Sequence, residues 1–348
     1  MGTNTTLNTY KRICRKGLSH IENQNENCIL IDWFAASTRC HTPEKLIEHL
    51  GLSISSFTQT YGFYGYADRL YFGGISVHYN LKNDNEQNSV LLEMSGQGCR
   101  QFETSSNVGF MQLFCEVSNG DFNITRLDIA YDDIDHTGNG LLDIGKIARY
   151  TLHQRFVTKW GGGTVMDSFR VAGNNEPMVH ALTVQFGSRK SKMLLRIYDK
   201  AQERGGFDYH WIRAEIVFKR ERAAAFIGEV LNGKPIGEIY AGVLLNYLRF
   251  IKLDHSRKER CTIVKWWEQF LNYAKKIRLF SPKTVDYNLE RVKNYVLNQA
   301  GNCIDTYIAC VGEHKFMSDL KSRKTHLNDN QIRVIEEYRE SNKRSDFP

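Results

Sequence analysis

The sequence predicts an α+β chain, with a mostly antiparallel sheet carrying helices on one side, followed by a mainly helical C-terminal part. Two observations carry this expectation. Up to about residue 220, short apolar and aromatic runs alternate with turn residues, the punctuation of strands joined by hairpins. From about Ala223 the apolar residues recur at helical spacing and continue so.

Taken in order, "NCILIDWFAAS" reads as a first strand, bounded by polar residues on both sides. "TPEKLIEHLGL" follows as a short helix, with a Thr cap, a Pro at the first helical position and a Gly stop. "YGFYGYADRLYFGGISVHYN" and "SVLLEMSGQGCR" read as strands and turns, with Tyr64 and Tyr66 on one face; sheet packing is the expected role of the two rings, base stacking the alternative. A helix is expected within "FETSSNVGFMQLFCEVSNG", a strand in "FNITRLDIAYDDID" and a helix in "LLDIGKIARYTLH". After a loop opened by Gly161–Gly163 come three strands, in "VHALTVQFGS", "KMLLRIYDK" and "WIRAEIVFKR". No internal repeat is visible. The expected division is an N-terminal extension over 1–27, a functional domain over 28–250 and a basic helical domain over 251–348, with Trp266 and Trp267 in its core.

At 41% hydrophobic and 24% charged residues, the composition is that of a folded globular protein. A net charge of +7 and a pI near 8.9 suit a polyanionic partner. Between residues 255 and 300 there are ten Lys/Arg against four Asp/Glu, so the basic excess has a local source. No apolar run reaches membrane length, and the polar start lacks the apolar core of a signal peptide. The eight cysteines form no CxxC pair and read as reduced thiols. Cys303, Cys310 and His314 have a metal-like spacing but no second pair, so zinc is not expected. A cytosolic compartment follows.

The chemistry lies in the alternation. In a strand, residues two apart share a face. Thus "RLDIAYD" puts Arg126, Asp128 and Asp132 on one side, "RAEIVFK" puts Arg213 and Glu215 together, and "RIYDK" aligns Arg196, Tyr198 and Lys200. "LLEMS" adds Glu93. Charged groups are seldom buried unless paired or metal-bound. One strand at a time, these charges read as a half-solvated sheet laced with ion pairs. Together, with a tyrosine between two cations, they read as a site.

Clustered carboxylates favour Mg²⁺ or Mn²⁺. Such ions serve phosphoryl transfer. Arg and Lys beside a phenol would favour its phenolate and hold a phosphate. Tyr198, metal carboxylates and cations together describe DNA strand transfer through a phosphotyrosine. No HxxR segment precedes the tyrosine and no His-x-His pair occurs among the eleven histidines, which sets aside tyrosine recombinases and the His-x-His nucleases. His136 and His153 stand as local helpers or as structural residues.

"ITRLDIAYDDID", "FGSRKSKMLLRIYDKAQERG" and "WIRAEIVFKR" resemble, in order and spacing, the replication initiation factors of rolling-circle elements, both staphylococcal plasmid initiators and filamentous-phage replication proteins. The resemblance covers residues 28 to 225. It implies origin-specific DNA nicking and rejoining through a 5′-phosphotyrosine, leaving a 3′-OH primer. It implies Tyr198 as nucleophile, with Arg196 and Lys200 stabilising charge, and Asp128 and Glu215 as metal ligands. Glu93 matches a further acid, and Asp132 is a ligand or supports one.

Phosphate contacts are expected from Arg189, Lys190 and Lys192 in the "SRKSK" loop. Arg126 and Arg213 would either touch DNA or pair with the acids two residues on. The expected partners are origin DNA with an exposed single-stranded nick site, and a host helicase and polymerase, since no GxxxxGK[ST] loop is present. A homodimer would supply a second Tyr198 for termination. A conjugative relaxase and a catalytically silent DNA-binding protein are the alternatives.

Overall fold

A computed structural model describes residues 27–80, 89–170, 179–203, 209–277 and 301–322, with isolated positions beyond these stretches. The expected extension over 1–27 lies almost wholly outside the described residues, as do parts of the basic C-terminal region. The chain divides into two compact units, residues 17–281 and residues 282–348 with 1–16.

The larger unit is built on twelve strands: β1 (Cys28–Thr38), β2 (Thr58–Tyr61), β3 (Asp68–Phe72), β4 (Ile75–Tyr79), β5 (Val90–Met94), β6 (Phe122–Asp135), β7 (Phe156–Thr158), β8 (Gly163–Arg170), β9 (Val179–Phe186), β10 (Met193–Asp199), β11 (His210–Lys219) and β12 (Leu248–Phe250). Its helices are α1 (Pro43–His49), α2 (Gly96–Ser105), α3 (Phe110–Val117), α4 (Ile144–Leu152), α5 (Lys200–Glu203), α6 (Glu221–Leu231), α7 (Ile236–Tyr247) and α8 (Lys265–Ala274). The smaller unit contributes α9 (Gly301–Val311) and α10 (Glu313–Ser322).

Ten strands form one antiparallel sheet in the order β2-β3-β4-β5-β1-β6-β11-β10-β9-β8. This order contains a repeat that the sequence hides. β1 is followed by α1, then by four strands that return so that β5 pairs with β1, then by α2 and α3. β6 is followed by α4, then by β8–β11, which return so that β11 pairs with β6, then by α6 and α7. The registers agree as well. Ala35 lies opposite Glu93 as Ala130 lies opposite Glu215. Ser76 faces Glu93 as Arg196 faces Glu215. The halves meet where Trp33 pairs with Asp128, and each of these two residues occupies the other's place in its own half. The sheet thus has a pseudo-twofold axis at the β1–β6 seam.

The two faces of the sheet differ completely. Ile29, Ile31, Phe34, Leu127, Ile129, Tyr131, Ala214, Ile216, Leu195 and Ile197 point to one side and join a single core with Leu46, Ile47, Phe102, Phe114, Ile147, Phe226 and Leu244 of the helices. That is the predicted helices-on-one-side arrangement. Helix ends follow the predicted chemistry too: Thr42 caps α1 by accepting the Lys45 amide at 3.3 Å, ahead of Pro43. Asp143 caps α4 likewise, accepting the Lys146 amide at 2.9 Å.

Three local expectations are corrected. The stretch expected to hold one helix after Glu93 holds α2 and α3, with α2 starting earlier, at Gly96, where Ser95 accepts the Gly98 amide. The helical pattern after Ala223 is interrupted by β12, which pairs with β7 in a separate two-stranded sheet. Tyr64 lies in the turn between β2 and β3, at φ +59°, rather than on a strand with Tyr66. Helix α8, whose Trp267, Phe270 and Leu271 are buried in the main core, belongs to the larger unit.

Candidate active site

On the other face, a band of polar and charged side chains crosses the seam, and several are fully buried. Asp128, Asp132, Arg213 and Glu215 are among the buried polar and charged residues, as are Ser76 and His78 in the first half. Strand alternation explains how they come together, since each is two or four residues from its neighbour and faces the next strand in register.

At the centre, Tyr198 donates its hydroxyl to Glu215 Oε2 at 3.2 Å, across the β10–β11 ladder. Arg196, directly opposite Glu215, donates to its other oxygen, Oε1. On the far side of β11, Glu215 comes within hydrogen-bonding range of Asp128. Arg126 grips Asp128 with two bonds, Nε to Oδ1 at 2.9 Å and Nη2 to Oδ2 at 2.6 Å, and its guanidinium lies 4.4 Å from the Trp33 ring centre.

Burial and the nearby Glu215 push Asp128 up to about 8, against the pull of Arg126. Burial also raises Tyr198. Arg213 pulls its hydroxyl down, but Glu215 and Asp32 push it further up. The expectation that neighbouring cations favour the phenolate is therefore corrected. Tyr198 rests as a neutral phenol with a carboxylate positioned to take its proton.

Arg213 is only 1% exposed. It gives Nε and Nη2 to Asp132 at 2.6 and 2.7 Å and Nη1 to Asp32 at 2.7 Å. This guanidinium is spent within the protein, and it forms the floor beneath Tyr198, its ladder partner. Asp132 is held from two sides by the same fork. Asp32 escaped the sequence reading. The register slips between Ile31 and Trp33, and this bulge turns Asp32 out of the apolar alternation toward Arg213. Burial raises its carboxyl, but Arg213, Lys200 and Arg100 outweigh that and leave it below the usual range. A Cβ at Gly96 would lie 2.7 Å from Asp32 Oδ1, so only glycine lets α2 begin there. The available signal was a lone acid inside "CILIDWFAAS".

Lys200 does not continue the strand. It opens α5, ion-pairs with Glu203 and still places its ammonium 5.4 Å from the Tyr198 ring centre. Burial and Arg213 hold Lys200 below the ordinary lysine range. Glu93 lies across the seam, near the Tyr64 hydroxyl and feeling Arg126 and Arg69; burial leaves it raised. Arg189, Lys190 and Lys192 occupy the exposed β9–β10 turn, with Lys192 paired to Glu221 at 3.3 Å. Six strand residues separate Lys192 from Tyr198, about 20 Å. His136 packs at a tilt against Tyr209, and His153 caps the end of α4, so neither takes part in this cluster.

Asp128 and Glu215 fit a hard divalent cation. They are two adjacent carboxylates, buried side by side, and burial together with its neighbour pushes one of them up. Asp132 is committed to Arg213, and Glu93 to Tyr64. Among the described residues, no group of three or more His, Cys, Asp or Glu side chains is gathered closely enough to hold an ion. Mg²⁺ commonly takes only one or two carboxylates, completing its shell with water and substrate phosphate.

The comparison with known proteins agrees with this architecture. The replication initiation factor model matches residues 122–321, more than half of the chain, and the rolling circle replication initiation protein N-terminal domain matches residues 28–114. The chain belongs to the replication initiation factor family. It is 26% identical over 326 residues to the putative DNA relaxase NicK of Bacillus subtilis (strain 168), covering 89% of both chains. The rolling circle replication initiator protein from Geobacillus stearothermophilus superimposes with a TM-score of 0.66 at 26% identity, over 74% of this chain and all of that one. The boundary between the two family models falls between residues 114 and 122, just before β6, where the second half of the sheet begins. Among the described residues, no helix is long and apolar enough to cross a membrane.

Proposed function

We propose that this member of the family nicks and rejoins one DNA strand at a replication origin, with Tyr198 as the nucleophile. The observation that carries the reading is the hydrogen bond from the Tyr198 hydroxyl to Glu215, beside Asp128, on the polar face of the sheet. The Tyr198 oxygen attacks the scissile phosphorus while its proton passes to Glu215 Oε2, 3.2 Å away. The phosphorus–O3′ bond breaks, and the leaving 3′ oxygen takes a proton from solvent, which leaves a 5′-phosphotyrosyl link and a free 3′-hydroxyl. Attack by a 3′-hydroxyl on that link reverses the step and rejoins the strand.

Asp128 and Glu215 would hold Mg²⁺ or Mn²⁺, whose part is to polarise the phosphate and offset its developing charge. Arg196 and Lys200 flank the phenol and would stabilise the same charge. Arg213 positions Tyr198 from below. Arg126 orients Asp128 and, being partly exposed, can also meet a backbone phosphate. Arg189, Lys190 and Lys192 would hold flanking duplex DNA. A host polymerase would extend the 3′ end, a host helicase would unwind ahead, and a second copy of the chain would supply a second Tyr198 at termination.

The likeness to a putative DNA relaxase favours a second reading, the same chemistry at a transfer origin. The test uses supercoiled DNA carrying the element's own origin, with Mg²⁺ or Mn²⁺ and an EDTA control. Wild type should give nicked circles and protein joined to a 5′ end, and Tyr198→Phe should give neither. An adduct that persists in Tyr198→Phe assigns the chemistry to another tyrosine. Specific binding without cleavage under any metal would make the chain a silent DNA-binding protein.

A further inference from the structure

The pseudo-twofold axis places a counterpart of the active site in the first half of the sheet, and its residues differ in a telling way. Glu93 stands where Glu215 does, and it too has a tyrosine hydroxyl beside it, that of Tyr64. Trp33 replaces Asp128, Ser76 replaces Arg196 and His78 replaces Tyr198. The carboxylate pair and the in-strand nucleophile are therefore missing. Burial and Arg69 push His78 down to about 4, so it is a neutral ring at working pH.

What this half presents instead is aromatic. Phe63 and Tyr64, in the β2–β3 turn, are 55% and 69% exposed, although large rings normally seek burial. They are not loose. Arg69 lies 4.8 Å from the ring centres of both Phe63 and Tyr71, and Tyr64 stands edge-on to His78 at 5.7 Å. The Phe63 amide donates to His78 Nδ1 at 3.4 Å, and Tyr66 fixes the base of the turn through Ser89 at 2.9 Å. Along the ladder, Tyr71, Ser76, Glu93, Ala35 and Arg126 form one continuous row on the polar face. Glu93, which holds Tyr64, is two strand spacings from Arg126, about 10 Å.

We infer that this turn is a stacking platform for unpaired bases beside the scissile phosphate, so that one half of the sheet holds the strand which the other half cuts. The occupant is single-stranded DNA. Exposed ring faces interleaved with guanidinium groups match bases on a phosphate backbone, and the row ends at Arg126, which grips Asp128 of the proposed nicking site. Duplex DNA keeps its base faces covered and offers such rings nothing. The inference rests on the nicking reading for its location.

The experiment measures binding of a fluorescein-labelled oligothymidine of about fifteen nucleotides, and of a duplex of equal length, by anisotropy in EDTA. The proteins are wild type, Phe63→Ala/Tyr64→Ala, Tyr64→Phe and Tyr198→Phe. The double alanine variant should bind the single strand at least about tenfold more weakly and the duplex as wild type does. Tyr64→Phe, which keeps the ring, should stay within about threefold, which also shows that the turn tolerates substitution. Cross-linking of a 5-iodouracil oligonucleotide should map to Phe63 or Tyr64. Equal single-strand affinity in wild type and the double variant would overturn the inference, as would a Tyr64→Phe variant that binds normally but no longer rejoins nicked strands. If wild type binds through the turn yet gives no adduct on origin DNA, the nicking reading fails alone. If the adduct forms and the turn proves irrelevant, this inference fails alone.

Discussion

The two halves of the sheet share a topology and a register but not a chemistry. In the second half, alternation on β6, β10 and β11 brings three carboxylates, three arginines and a tyrosine together. The first half holds the matching positions with a tryptophan, a serine and a histidine, and keeps a single acid. The frame is thus separable from the reaction. Ladder register decides where a site can be, and four or five side chains decide whether it is one.

The sharpest way to break that comparison is to remove the equivalent acids in turn. Glu215→Gln keeps the shape and loses the proton acceptor, so origin nicking should fall about 10²–10⁴-fold. Glu93→Gln, at the matching register position, should leave nicking within about tenfold and act on DNA binding through Tyr64. Single-turnover nicking assays read both. Equal losses would mean that the halves form one composite site, and the separation argued from the registers would be lost.

Buried charge is the next contrast. The Arg213–Asp132 pair is closed off from solvent, and removing one partner strands the other. Asp132→Ala should cost about 3–5 kcal/mol in denaturant unfolding. On the apolar face, Ile129→Ala should cost a similar 2–5 kcal/mol through its cavity. The two then part in function. Folded Ile129→Ala should nick at the wild-type rate per molecule, whereas folded Asp132→Ala should not, because Arg213 positions Tyr198.

These differences mark what could be read in advance. The period-two alternation in "RLDIAYD", "RAEIVFK" and "RIYDK" was legible because it is local, and those residues do converge. Asp32 was not legible as a site residue. Its orientation depends on a bulge against β6, almost a hundred residues away, and no local pattern encodes a register slip. Lys200 was misplaced because the strand ends at Asp199, whose side chain accepts the Gln202 amide at 3.0 Å and starts a helical turn. The halves' shared topology was invisible for a related reason: it resides in strand pairing, while the matched positions carry unlike residues.

A third prediction concerns pH. With EDTA present, the folded state holds a proton on Asp128 up to about pH 8, whereas the unfolded chain releases it near the ordinary carboxylate value. Between these limits the folded state binds more protons, so stability relative to Asp128→Asn should fall as pH rises. The effect should be fully favourable at acid pH and exhausted above about 8. Adding Mn²⁺ should raise the wild-type Tm more at pH 8 than at pH 5.5, and should do neither in Asp128→Asn. A metal response independent of both pH and Asp128 would place the cation elsewhere.

The smallest effect belongs to the basic turn about 20 Å from Tyr198 along β10. Arg189, Lys190 and Lys192 are exposed, and the Lys192–Glu221 pair is a solvent-screened surface interaction that contributes little to stability. Replacing all three by alanine should leave unfolding within about 0.5 kcal/mol per residue. It should equally leave nicking at saturating DNA unchanged. What should change is the salt dependence of origin binding, whose log–log slope should flatten by about 0.9 for each phosphate no longer neutralised. If the slope is unaltered, the turn is a solvated charge cluster, and the duplex must be held elsewhere. If the slope flattens and the saturated rate also drops, the turn reaches the reacting phosphate, and the separation of grip from chemistry along this strand fails.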